Sequence, residues 1–257
     1  MITKVDEKMR LHCLGTVGYH PNDERQTSCY FLPESGIVLD AGSGAYRLSG
    51  LIETETLDIL LSHGHLDHTF GLTFLLDILF EKPVRRVRIW GESAKLEAIQ
   101  KHLFHPLIFP ANLDAQWMAI DDLQDWQIGD AKISWRHQEH PGGSVAYRID
   151  WTDNKRLVYV TDTSGDTSDQ HAAWSEHADL LMHECYFRDS SRTWAVKTGH
   201  CWTSRVAEIA RKSHPRKLLL THINPLEQSN DPVDIESIRD QLKAEVILAE
   251  DGLVIDF

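Results

Sequence analysis

A chain of 257 residues is long enough for one large α/β domain or two small ones. Its 42% hydrophobic and 25% charged residues are the balance of a globular protein and exclude a disordered or fibrous chain. A net charge of -13 at pH 7 argues against an extended nucleic-acid surface, because phosphates demand a basic face.

No apolar run approaches the ~20 residues that span a bilayer, so no membrane association is expected. The stretch from Met1 to Cys13 carries acids and lysines without the apolar segment of a secretory leader. Cys13, Cys29, Cys185 and Cys201 are scattered, with no Cys-x-x-Cys pair. They read as free thiols of a reducing compartment, the cytoplasm, and give no support to a separate structural zinc. With no repeat, low-complexity tract or linker, residues 1–257 read as a single domain.

In chain order, Arg10 to Leu14, Cys29 to Leu32 and Ile37 to Leu39 read as short strands between Gly- and Pro-rich turns. Leu57 to Leu61 is a buried strand, Thr69 to Leu79 a helix and Val87 to Trp90 another strand. Ser93 to His102 has helical spacing with Ser93 as N-cap. Phe104 to Asn112, with Pro106 and Pro110, is the one long irregular segment and is either a flap over a site or a connecting loop. Further strands fall at Ala115 to Ile120, Lys132 to His137, Val145 to Trp151 and Leu157 to Val160. Gln170 to Glu176 is a short helix and Leu180 to Met182 a strand; Ser204 to Lys212 is a helix and Leu218 to Leu220 a strand. Asp231-Pro232 is a helix start, and Val246 to Leu248 and Leu253 to Phe257 close the chain as strands.

The most informative stretch is His63-Gly64-His65-Leu66-Asp67-His68, directly behind the apolar run Ile59-Leu60-Leu61. One of 15 histidines carries little weight by itself. Three imidazoles and a carboxylate in six residues at the end of a buried strand are different, since these donors suit zinc, manganese or iron. One ion cannot easily use all four in so tight a turn, whereas two neighbouring ions divide them. Other apolar runs end alike, at Thr161-Asp162, His183-Glu184 and Thr221-His222. If these strands lie side by side, their carboxyl ends converge where α/β folds place active sites.

These residues resemble the signature of the metallo-β-lactamase fold, and more narrowly the ribonuclease Z-like phosphodiesterases. The resemblance runs through Leu14-Gly15-Thr16 and Gly18, through Asp40-Ala41-Gly42-Ser43-Gly44, and through His140 to Ile149, where the His-to-Tyr147 spacing selects His140 over His137. It continues through Tyr159 to Thr163, Gly199-His200 and Thr221 to Pro225. It implies a four-layer αββα sandwich and a metal-dependent hydrolase with two divalent ions, zinc foremost, with manganese or iron as alternatives. His63, His65 and His140 would hold one ion; Asp67, His68 and His222 the other; Asp162 would bridge both. The ions, about 3.5–4 Å apart, would share a hydroxide that attacks phosphorus or a carbonyl carbon. Asp40 is either a carboxylate orienting a ligand histidine or a cap of the Gly-rich turn. His200 is a non-ligand catalytic histidine by the resemblance, oriented by Glu184, with Asp67 as a third member of the catalytic set; the plainer alternative is a histidine that merely precedes a helix.

The tRNA-gripping arm of true ribonuclease Z commonly lies between the third histidine ligand and the bridging aspartate. Only 21 residues separate His140 from Asp162, and two strands occupy them. The expected substrate is therefore a small (cyclic) phosphodiester. Alternatives are lactone, ester or thioester hydrolysis, tRNA 3′ processing, a non-catalytic ligand-binding member, and a carrier or oxygenase-like role in cofactor biosynthesis. Arg25, Arg192 and Lys197 flank the motifs and read as ordinary solvated charges. The resemblance also suggests a homodimer.

Overall fold

The computed structural model describes residues 9–227 and 229–257; the first eight positions of the leader reading at Met1 to Cys13 lie outside the described residues. Among the described residues, fourteen strands form two seven-stranded sheets. The first comprises β1 (Arg10–Gly15), β2 (Cys29–Leu32), β3 (Ile37–Leu39), β4 (Thr56–Leu60), β5 (Arg86–Gly91), β6 (Gln116–Ala119) and β14 (Val254–Asp256), in the order β14-β1-β2-β3-β4-β5-β6. The second comprises β7 (Asp125–Ile128), β8 (Ala131–Gln138), β9 (Ser144–Trp151), β10 (Arg156–Val160), β11 (Leu180–Glu184), β12 (Lys217–Thr221) and β13 (Glu245–Leu248), in the order β13-β12-β11-β10-β9-β8-β7.

The four layers follow from alternation along the strands, whose successive side chains point to opposite faces. Leu39 and Leu60 of the first sheet share an inner core with Tyr147, Leu157, Tyr159 and Leu219 of the second. Their neighbours Val38 and Ile59 instead pack outward on Leu72, Leu75 and Ile78, where α2 (Leu75–Glu81) covers the first sheet. Val158, Leu181 and Leu220 pack outward on Val206, Ile209 and Ile238 of α6 (Thr203–Ser213) and α7 (Ile235–Arg239). One core between the sheets and one on each outer face make an αββα sandwich. β10, β11 and β12 are parallel neighbours, but β4 lies in the opposite sheet, so the ligand-bearing strands converge across the sandwich edge rather than side by side.

Several local expectations change. The helix expected over Thr69 to Leu79 is broken into a single turn, α1 (Leu66–Thr69), a tight 3-10 segment over Phe70–Phe74 and then α2. Asp67 and His68 belong to that first turn. Ser93 is the first residue of α3 (Ser93–Ala98), not its cap; its backbone N–H is held by the carboxylate of Asp121 at 2.8 Å. Asp231 does accept backbone N–H groups from Val233 and Ile235, yet α7 begins only at Ile235. Strand β7 and helix α5 (Arg192–Thr198) were not anticipated. Phe104 to Asn112 is irregular, but Phe104 packs on Trp117 in the outer core of the first sheet and the segment lines no part of the metal cleft, so it is not a flap there. All four cysteines are free and buried, and among the described residues no helix is long and apolar enough to cross a membrane.

Asp58 on β4 is fully buried and accepts from Trp90 Nε1 at 2.7 Å and from the Arg88 guanidinium at 2.8 Å. Asp58→Ala leaves both donors without their carboxylate and is expected to cost about 3–5 kcal/mol. Urea unfolding measures it; a loss below about 1 kcal/mol would show that the pair contributes little net stability.

Candidate metal centre

The site is assembled from strand ends. Asp40 follows β3, Asp162 lies two residues beyond β10, and His222 follows β12. All three have left-handed backbones, with φ of 56°, 47° and 51°. Aspartate and histidine are among the few side chains that tolerate this region, and such strain gathers at functional sites. His63 follows β4, His65 immediately precedes α1, and His140 follows β8.

Asp162 is the centre of the cluster. Its Oδ1 faces His140 Nε2 at 3.4 Å and His63 Nε2 at 3.7 Å. Its Oδ2 faces His68 Nε2 at 3.1 Å and His222 Nε2 at 3.2 Å. Asp67 Oδ2 stands 3.3 Å from both His68 Nε2 and His222 Nε2 and accepts the backbone N–H of Tyr19 at 2.7 Å. Among the described residues three overlapping donor groups result, each with its ligand atoms within 4.8 Å of one another: His63, His65, His140 and Asp162; Asp67, His68 and His222; and Asp162, His200 and His222. All seven residues singled out as ligands from the sequence thus come together, whereas His137 is exposed on β8, 3.6 Å from Glu92.

The donor set fits divalent cations. His63 Nε2 is buried without a hydrogen-bond partner, and two pairs of ring nitrogens face each other, His68 Nε2 to His222 Nε2 at 3.2 Å and His65 Nδ1 to His140 Nε2 at 3.4 Å. Nitrogens aimed at one another across a shared space suit a common cation better than mutual hydrogen bonds.

The electrostatics agree. Burial raises the Asp162 carboxyl, but His222, His68 and His63 outweigh it and hold the group well below the ordinary carboxylate range. Asp67 is likewise lowered, by His68 and His222 against burial. Burial lowers His63 strongly, keeping its imidazole neutral, the form that donates to a metal.

Supporting residues fix these rings. Asp40 Oδ2 pairs with His68 Nδ1 at 2.7 Å and also accepts from Tyr159 Oη at 2.7 Å and Ser62 Oγ at 2.8 Å. Asp40 therefore orients the His68 ring, as a carboxylate beside a candidate ligand histidine is expected to do. Neither Ser62 nor Tyr159 was singled out for this contact; two polar groups at strand ends give no sign in sequence of which carboxylate they will meet. The Nδ1 of His140 pairs with the Gly199 carbonyl at 2.9 Å, and Gly199 has a positive φ of 76°.

His200 sits between α5 and α6, with Nδ1 3.1 Å from Glu184 Oε2. Glu184 ends β11 and is itself fixed, accepting the backbone N–H of Thr163 at 2.6 Å and of Cys201 at 3.3 Å. Burial lowers His200, but the charge and hydrogen bond of Glu184, aided by Asp162 and Asp67, raise it to about 9. The Tyr186 ring, absent from the sequence reading, stacks on His200 at 4.4 Å and 15°. A cavity of about 700 Å³ opens over this group of residues.

The family model of the beta-lactamase superfamily domain matches residues 37–223. The chain belongs to this superfamily. A curated relative, ribonuclease Z of Archaeoglobus fulgidus, is 23% identical over 95% of this chain and 96% of its own. That alignment runs over 299 positions, more than this chain has residues, so the relative carries segments absent here. Among solved structures, the metallo-beta-lactamase fold protein YhfI from Bacillus subtilis has a TM-score of 0.80 at 25% identity, covering 96% of this chain and 99% of its own. The short form of human tRNase Z has a TM-score of 0.75 at 22% identity, covering 96% and 98%. This superfamily member is a metal-dependent hydrolase.

A Cβ placed on Gly18 would lie 2.3 Å from the His222 ring. Gly18→Ala is therefore expected to push His222 out of the cluster and lower the bound metal toward one ion per chain, as read by elemental analysis. Full metal content in that variant would show that the ring can shift without loss of binding.

Proposed function

We propose that this protein is a phosphodiesterase for a small (cyclic) phosphodiester. The observation that carries the proposal is the divided Asp162 carboxylate between two imidazole groups, with the Glu184-held His200 beside them. Two divalent cations, one on His63, His65 and His140 and one on Asp67, His68 and His222, with Asp162 between, would supply Lewis-acid chemistry and water activated at neutral pH. Zinc suits the donor set, and manganese or iron are also accommodated.

The chain's own residues supply the rest. Glu184 holds the Nδ1 proton of His200, which leaves Nε2 as the proton-bearing atom on the other side of the ring. An imidazolium there can protonate or stabilise the alkoxide that departs from phosphorus. Asp40 keeps His68 in one tautomer and ring direction, and Tyr186 keeps His200 in one plane. The name of the curated relative, ribonuclease Z, supports phosphorus over carbonyl chemistry. The short β9–β10 connection at 152–155 and the segments missing against that relative support a small substrate over pre-tRNA.

Metal-loaded protein is expected to hydrolyse bis(p-nitrophenyl) phosphate above a metal-only control, to lose that turnover on dialysis against a chelator, and to regain it with zinc or manganese. Faster opening of an acyl-homoserine lactone than of any phosphodiester would move the assignment to carbonyl chemistry.

His200→Ala is expected to keep its metal content and lose turnover by about 10²–10⁴-fold on diesters with alkyl leaving groups. The loss should be smaller for p-nitrophenyl esters, whose leaving group needs no proton. Equal losses on both, or none, would remove the general-acid role.

A further inference from the structure

Large apolar side chains stand exposed around the metal cleft. Tyr19, Leu66, Trp194 and Leu226 are 74%, 66%, 58% and 77% exposed, and all four line the same cavity. They come from four separate segments: the loop after β1, α1, α5 and the loop after β12. No single amphipathic element explains their convergence, and clustered exposed apolar surface marks a binding site. Tyr186 and Phe187, half-buried, continue the apolar wall toward His200.

Among the described residues no Lys or Arg lines this cavity. Of the nearby cations, Arg192 packs over Trp202 at 5.1 Å and Arg25 bonds Thr16 at 2.7 Å, while Lys197 lies over the Trp194 ring at 4.7 Å, a single cation at the rim. Gripping a nucleic-acid backbone takes several cationic contacts along successive phosphates. A single phosphodiester needs charge compensation at one point only, which the metal-binding cluster provides. The cavity's ~700 Å³ lies within the usual range for a small-molecule site.

Resting on the phosphodiesterase reading, we infer that the substrate is a lone phosphodiester whose non-leaving group is a planar aromatic, held between the Trp194 and Leu226 sides of the cleft. The shared chemistry is an aromatic face without further negative charge, whether an aryl group or a nucleobase. Aromatic contacts supply affinity along a wall that no Lys or Arg lines.

Three p-nitrophenyl diesters with methyl, phenyl and thymidylyl non-leaving groups test this, since leaving group and phosphate charge stay constant. The phenyl or thymidylyl ester is expected to exceed the methyl ester by about tenfold or more in kcat/KM, chiefly through KM. The better of the two identifies aryl or nucleobase as the source. Trp194→Ala and Leu226→Ser should each shrink that preference toward one, while Phe80→Ser, on an exposed side chain that does not line the cavity, should keep it. Calorimetry should show phenylphosphonate binding tighter than methylphosphonate. Equal kcat/KM for the three esters, or an oligoribonucleotide preferred over all of them, overturns the inference and leaves phosphodiesterase activity standing. If no diester is turned over, the underlying reading fails, and the phosphonate comparison still decides whether the cleft favours an aromatic group.

Discussion

The structure depends on one buried carboxylate. Asp162 is almost wholly removed from water, and each of its oxygens faces imidazoles from different parts of the chain. An isolated carboxylate in that position would be strongly disfavoured, because desolvation penalises charge. The surrounding histidines reverse the balance and keep it ionised. Cations fitted to this donor set would complete the compensation and would link metal binding to the stability of this edge.

The two sheets exist, for this purpose, to bring that carboxylate and its partners together. β4 delivers His63 from one sheet, while β8, β10 and β12 deliver His140, Asp162 and His222 from the other. The inner core of Leu39, Leu60, Tyr147, Tyr159 and Leu219 sets the separation between them. Tyr159 joins both tasks: its ring is buried in that core, and its hydroxyl donates to Asp40, which holds His68. Left-handed turns at Asp40, Asp162 and His222 aim side chains that a regular strand ending would direct elsewhere. Their backbone strain of order 1–3 kcal/mol each is sustained by the packing around them.

Around this polar centre the surroundings divide by chemistry. The side of Glu184 is a chain of hydrogen bonds, in which backbone N–H groups of Thr163 and Cys201 fix the carboxylate that fixes His200. Over the same centre opens an apolar rim drawn from two loops and two helices. Positioning one proton donor requires rigid, directional contacts, whereas holding an apolar group requires only surface of the right extent.

The clustered donors were legible in the sequence as a local signal, and the layered fold through the family resemblance that they and the later motifs carry. His63 to His68 concentrate donors in six residues, and apolar runs ending in Asp162, Glu184 and His222 mark buried strands with polar ends. Segments whose conformation is settled by distant contacts were not legible. The helix after His68 breaks where the Gly71 N–H donates to the Ala41 carbonyl at 2.8 Å, joining the 3-10 segment to the Asp40 turn. Strand β7 forms because a hairpin with β8 buries Trp126 against the inner core, although Asp125–Ile128 offers only two apolar residues, each preceded by a polar one, to announce it. Tertiary structure alone decided that β4 faces the other strands across the sandwich, that Tyr186 lies on His200, and that Tyr19, Leu66, Trp194 and Leu226 share one cavity. Composition and spacing specify which side chains a strand end carries; only packing between sheets specifies which strand ends meet.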